Sequence, residues 1–197
     1  MSAPNPPRWA EALLRLLLAP RDRQTVSGDL LEEYRENIYP ERGRGPADRW
    51  YISQVAGFVL RGNWLWAALL SGSFITRTAL DWFVPPKDFY IRSMASTWLA
   101  IAFLLCAGFC AAWRSGLLRS GALAGIATTL LAAAISTIGT GCLFAIRHDA
   151  ATLTAIQESG GLAEVFSLPI MLVIPGLALG ALGGIVGVVA RRSISSY

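Results

Sequence analysis

The feature that most limits what this chain can fold into is a series of long apolar runs that begins after Leu60. A run of about 18 or more such residues crosses the roughly 30 Å hydrocarbon core of a bilayer as an α-helix. The chain of 197 residues is 54% hydrophobic and only 15% charged. Soluble domains carry about 25% charged residues. We therefore predict an all-α, polytopic membrane protein.

Four membrane spans are predicted, which would form a four-helix transmembrane bundle. They cover residues 63–83, 94–113, 121–146 and 165–190. The first span is the least regular, because only fifteen residues, about 22 Å of helix, separate Arg61 from Arg77. Asp81 follows Arg77 by four residues, which favours an ion pair near the outer interface. The alternative for Arg77 is a functional charge inside the membrane.

Residues 1–61 are richer in charge and are predicted to form a small cytoplasmic helical head ahead of a membrane domain at 62–197. Three amphipathic helices are expected in this head, at about 6–19, 21–39 and 46–61. Within the second, Gly28 would be explained by a close approach of the first helix. The third has an aromatic start and a wide apolar face, so it either rests among the lipid headgroups or runs straight into the first span.

The distribution of Lys and Arg predicts the orientation of the chain. Thirteen of the seventeen lie in the head, in the turn at 114–120 or in the C-terminal tail, and four lie on the other side of the four-span arrangement. Cytoplasmic segments carry the excess of Lys and Arg, so both termini are predicted to be cytoplasmic. Because these residues flank apolar runs and no nucleic-acid-binding motif accompanies them, nucleic acid is not expected as a partner.

Side chains that usually carry catalysis are scarce. The single histidine is His148, at the outer end of a predicted span, and the cysteines are Cys106, Cys110 and Cys142, inside apolar runs. One histidine cannot form a common metal site, and a buried cysteine usually behaves as a small apolar side chain. The sequence contains no H-E-x-x-H, C-x-x-C, G-x-S-x-G or Walker-type motif. We predict no enzyme activity, cofactor or metal, and leave the roles of Arg77 and His148 open.

The second half of the fourth span carries glycines that recur at helical spacing. They are Gly176, Gly180, Gly183, Gly184 and Gly187, and they follow Pro169 and Pro175. Small residues four apart let two helix backbones approach closely, so these glycines are predicted to pack against another helix. A kinked, glycine-rich helix can also bend or line a transport path, and that alternative stays open.

The most distinctive string of the head is the acidic segment GDLLEEY at 28–34. By itself it predicts a solvated helix face with an apolar seam. Together with PPRWAEALLRLLLAP before it and GPADRWYISQ after it, the segment resembles the prefix domain that precedes certain bacterial ABC-transporter permeases, notably acidobacterial ones. The resemblance covers residues 6–54, about a quarter of the chain. The positions that carry it are Gly28, Asp29, Leu30, Glu32, Glu33 and Tyr34.

The resemblance implies a cytoplasmic helical module used for contact or regulation. Those permeases continue with a large extracytoplasmic domain, whereas the longest outer loop predicted here has about eighteen residues. Transport activity is therefore not implied, and the motif positions are assigned only a structural or contact role.

These patterns favour a non-catalytic interaction or regulatory accessory module in the bacterial cytoplasmic (inner) membrane. Its expected partners are the lipid bilayer and, through the head, another membrane protein or a cytoplasmic regulator. The alternative is a small multi-pass transport or channel subunit, which is favoured by the prolines and glycines of the fourth span.

Overall fold

A computed structural model describes residues 4–18, 22–84, 88–146, 149–158 and 161–195. Every regular element within these ranges is helical, which confirms the all-α class. The elements are α1 (Arg8–Leu17), α2 (Arg23–Glu33), a π-helical segment (Tyr34–Ile38), α3 (Tyr39–Arg42), α4 (Arg44–Phe83), α5 (Tyr90–Ser115), α6 (Leu118–Ile146), α7 (Ala150–Glu158), α8 (Gly161–Met171) and α9 (Val173–Ser195).

Three helical stretches are long and apolar enough to cross a membrane, namely Tyr90–Ser115, Leu118–Ile146 and Gly161–Ile194. This supports a membrane protein whose later part is solvated by lipid. The predicted first span lies in the second half of α4, which does not reach the same hydropathy. Asn63, Ser71 and Arg77 dilute its apolar run. A fourth span, and with it the four-helix bundle, therefore remains a prediction.

Helix α4 is continuous for 40 residues, from Arg44 to Phe83. At 1.5 Å per residue this is about 60 Å of helix. The helix expected at 46–61 therefore runs straight into the segment predicted as the first span, and the interfacial alternative is wrong. The predicted boundary between head and membrane domain falls inside this helix rather than in a linker.

The head has its own core, formed by α1, the π-helical segment and the first part of α4. The buried side chains are Ala10, Leu14, Tyr34, Ile38, Ala47, Tyr51 and Val55. Leu30, Tyr34 and Ile38, spaced four residues apart, all contribute to this core. A four-residue repeat overshoots an α-helical turn of 3.6 residues, and the wider π turn reduces that drift. The π segment thus keeps Tyr34 and Ile38 facing α4.

A second core lies among α4, α5 and α6, where Ala67, Leu70, Phe74, Ala100, Leu104 and Ala132 are buried. Helix α9 packs closely against both α5 and α6. The predicted single span at 165–190 is divided at Leu172 into α8 and α9. Pro175 has no N–H to donate to the carbonyl of Met171, which accounts for the interruption. The predicted outer loop 147–164 contains α7, which packs against α4 and α8.

Candidate functional site

The acidic motif of the head divides into an exposed face and a buried anchor. Gly28, Asp29, Glu32 and Glu33 are exposed, whereas Tyr34 is fully buried. Leu30 is half-buried and packs against the head core. The motif therefore presents three carboxylates to solvent from a helix whose other side is fixed to the protein.

Tyr34 is the centre of that anchor. Its hydroxyl donates a hydrogen bond to Oδ1 of Asp48 on α4 at 2.6 Å, and its ring meets the ring of Tyr51 edge-on with centroids 5.9 Å apart. Burial, followed by the hydrogen bond to Asp48, raises the pKa of Tyr34 well above its usual range, so the phenol stays neutral. Burial also raises the pKa of Tyr51. The contribution of Asp48 was not predicted.

The segment before α1 is tied to the same anchor. Nε of Arg35 donates to the carbonyl oxygen of Pro4 at 3.1 Å, and its Nη2 donates to the side-chain oxygen of Asn5. Both bonds join residues about thirty positions apart, so they hold the N-terminal segment across the motif helix.

The packing role expected for Gly28 is wrong. A Cβ added at this position would meet nothing within 4 Å, so no helix approaches it closely. The buried neighbour is Ser27, which is 4% exposed. The first helix instead packs against α4 through Ala10 and Leu14. Gly28 adds exposed backbone to the acidic face but permits no close contact.

The head rests on one end of the membrane helices, and a cleft of about 390 Å³ lies between them. Leu17, Leu18 and Phe58 line it from the head side, and Arg114 and Ser120 line it from the ends of α5 and α6. The hydroxyls of Ser115 and Ser120, which are both buried, are hydrogen-bonded to each other in its lining. The head side is apolar apart from Asp22, and the side formed by the ends of α5 and α6 carries these polar groups.

Arg191, near the C-terminal end of α9, binds the same end of α5. Nη1 of Arg191, on α9, donates to the carbonyl oxygens of Trp113 and Arg114 at 3.2 and 3.1 Å. Cations at a helix C-terminus are favoured by its partial negative charge. The head, the α5–α6 turn and the end of α9 therefore lie together.

All five glycines predicted to pack lie in contact with α5 or α6. Gly176, Gly180 and Gly184 face α6, and Gly183 and Gly187 face α5. A Cβ at Gly180 would be 2.6 Å from the carbonyl oxygen of Gly121, and one at Gly187 would be 2.6 Å from that of Phe109. Only glycine allows backbones to approach this closely, so α9 lies directly against two helices.

The ion pair predicted between Arg77 and Asp81 is confirmed, with Nε of Arg77 3.3 Å from Oδ2 of Asp81. A second cation, unexpected from the sequence, reaches the same carboxylate from α5. Nη1 of Arg92 is 3.2 Å from Oδ1 of Asp81 and 2.9 Å from the carbonyl oxygen of Val84. This three-residue charge cluster lies at the end of the bundle opposite the head.

Side chains that ligate metals are not grouped in the described ranges. No three of His, Cys, Asp and Glu come close enough there to hold a metal ion. The thiols of Cys106, Cys110 and Cys142 are free, with Cys106 and Cys142 exposed on the helix surfaces. His148 and Arg147 lie outside the described residues.

Comparison of the chain with protein-family models, curated proteins and solved structures finds no match.

Proposed function

We propose that this chain is a non-catalytic interaction or regulatory module of the bacterial cytoplasmic membrane, related to the prefix domains of ABC-transporter permeases. In this proposal the chain crosses the membrane four times, and both termini are cytoplasmic. The head contacts a cytoplasmic regulator or another membrane protein, and the membrane helices hold the head at the bilayer.

The observation that carries the proposal is the division of the motif helix into a fixed side and a free side. Tyr34 is held by Asp48 and Tyr51, while Asp29, Glu32 and Glu33 are exposed. Three acidic side chains on a rigid helix form a surface complementary to a cationic partner.

The continuity of α4 supports a regulatory rather than a simply tethering role. The helix carries Asp48 and Tyr51 of the anchor and continues to Arg77 and Asp81 without interruption. A partner that moves the head therefore acts directly on a helix that packs against α5 and α6. A flexible linker would not transmit such a movement.

The clustering of the arginine-rich segments at one end of the bundle supports the proposed orientation. Arg114 and Arg191 meet there, beside the head. The excess of cations on one side is the pattern of cytoplasmic segments. A reporter that is active only in the cytoplasm should be active when fused to either terminus. A terminus that is accessible from outside intact cells would refute the orientation.

The contact role is tested by placing a photo-crosslinking residue at position 29, 32 or 33 of the full-length chain in native membranes. We expect one discrete adduct from these positions. In the charge-reversed variant, Asp29, Glu32 and Glu33 are replaced by Lys and the crosslinking residue is placed at neighbouring Gln24. This variant should lose the adduct that the same crosslinker gives in the unmodified chain. Glu41→Lys, an exposed acid of the same head outside the motif, is the control and should leave it intact. Equal crosslinking after motif reversal would refute the proposal.

A further inference from the structure

The charge cluster at the end of the bundle away from the head has an excess of positive charge. The carboxylate of Asp81 is 2% exposed and is shared by two guanidinium groups, those of Arg77 and Arg92. Two guanidinium groups share one carboxylate, so the formal charges of the cluster sum to one net positive charge.

Several N–H groups of this cluster are available to an anion. The side chains of Arg77 and Arg92 are only 19% and 27% exposed. Among the described residues, Arg77 donates through Nε and Nη1 and Arg92 through Nη1. Nη2 of Arg77 and both Nε and Nη2 of Arg92 have no partner there. The planar fork of a partly desolvated guanidinium favours anions that offer several oxygens, such as phosphate.

An apolar groove of about 440 Å³ leads away from the two arginines along the seam between α4 and α5. Its walls include Leu69 and Leu80 from α4 and Leu99 from α5, all more than 40% exposed. From Ala68 to Leu80 the groove follows α4 for about 18 Å. A cationic end joined to a long apolar channel matches a molecule with an anionic head and an extended hydrocarbon chain.

From this geometry we infer that the α4–α5 groove is a binding site for an anionic phospholipid. The phosphate lies at Arg77 and Arg92, and one acyl chain lies along Leu69 and Leu99. Basic pockets between membrane helices recognise lipid headgroups in this way. The site is independent of the contact proposed for the head, because it lies at the other end of the bundle.

The test is a titration of the detergent-solubilised full-length chain with phosphatidylglycerol or phosphatidylcholine, followed by native mass spectrometry. Both lipids carry a phosphate, but the choline cation of phosphatidylcholine is repelled by the net positive cluster, so we expect phosphatidylglycerol to bind at least about tenfold more tightly. Arg92→Gln should remove most of this preference. Arg119→Gln, an exposed cation at the opposite end of the bundle, should retain it.

A second variant leaves the charges in place. Gly72 lines the groove, and a Cβ there would meet nothing within 4 Å, so Gly72→Phe introduces a ring at the groove without a clash at its Cβ. It should weaken phosphatidylglycerol binding by blocking the acyl chain. Binding that is insensitive to both Arg92→Gln and Gly72→Phe would overturn the inference. So would binding of inorganic phosphate alone that displaces the lipid and is unaffected by Gly72→Phe, because the ligand would then be a free anion.

Discussion

The contact between α9 and α6 yields a quantitative prediction for the substitution Gly180→Ala. A Cβ at this position would lie 2.6 Å from the carbonyl oxygen of Gly121 and 2.8 Å from Cα of Gly125. Ordinary contacts of a Cβ begin at 3.4 Å, so the closer one is short by about 0.8 Å. Both neighbours are backbone atoms, which cannot rotate away, and the two helices must therefore separate.

The size of the effect follows from two opposing contributions. A separation of about 0.5–1 Å forfeits a quarter to a half of the dispersion energy between facing atoms, and overpacking typically costs about 1–3 kcal/mol. Alanine improves helix propensity over glycine by up to about 1 kcal/mol. Because the short contacts are with backbone atoms, we take an overpacking cost of about 3 kcal/mol, the upper end of the range. Less a propensity gain of about 1 kcal/mol, Gly180→Ala should lower the free energy of unfolding by about 2 kcal/mol.

The matched control is Gly141→Ala on α6, where an added Cβ would meet nothing within 4 Å. This variant should keep or slightly raise the free energy of unfolding. Both are measured by titrating the detergent-solubilised chain with SDS and following tryptophan fluorescence, since the chain has seven tryptophans. If Gly180→Ala unfolds at the same SDS fraction as Gly141→Ala, α9 does not pack against α6 at this distance and the reasoning is refuted.

In a thermal unfolding experiment, Tyr34→Phe should lower the free energy of unfolding by about 1–2 kcal/mol, because the hydrogen bond to Asp48 is lost. The control Tyr39→Phe removes no such bond and should change it by under about 0.5 kcal/mol. Because the pKa of Tyr34 is raised on folding, the unfolded phenol ionises first, so stability should fall as the pH rises above about 10, less steeply in Tyr34→Phe. Asp81→Asn leaves two cations facing each other and should cost about 3 kcal/mol in the SDS titration, and adding Arg92→Gln should recover part of that loss.

The later helices were predictable because the solvent dictates their composition. A helix in lipid must be apolar along most of its length, and α5, α6 and the α8–α9 stretch are each apolar on average over 18 consecutive residues. The glycine spacing also identified the face of α9 that packs closely against other helices. It did not identify the residues that cover that face. Gly121 and Gly125 on α6 have the same four-residue spacing, but spacing alone does not pair one helix with another.

Contacts between residues that are distant in the sequence could not be predicted from periodicity or motifs. Asp48 is fourteen residues from Tyr34 and looks like an ordinary helix-start acid, yet it fixes the motif by accepting the hydrogen bond of a buried phenol. Arg92 reaches Asp81 from another helix, so only the tertiary arrangement joins them. The packing role predicted for Gly28 was wrong for the converse reason. The sequence shows a glycine that lowers helix propensity, but it does not show that no other helix lies close to it.

Helix α4 connects the two candidate sites and determines their geometry. Asp48 anchors the motif near one end and Asp81 binds two arginines near the other, and about 50 Å of uninterrupted helix separates them. Each residue of an α-helix advances the direction of its side chains by about 100°, so the register of α4 fixes the direction in which the carboxylates of the head point relative to the α4–α5 groove. The exposed face of the head is thus oriented by the same helix that packs against α5 and α6.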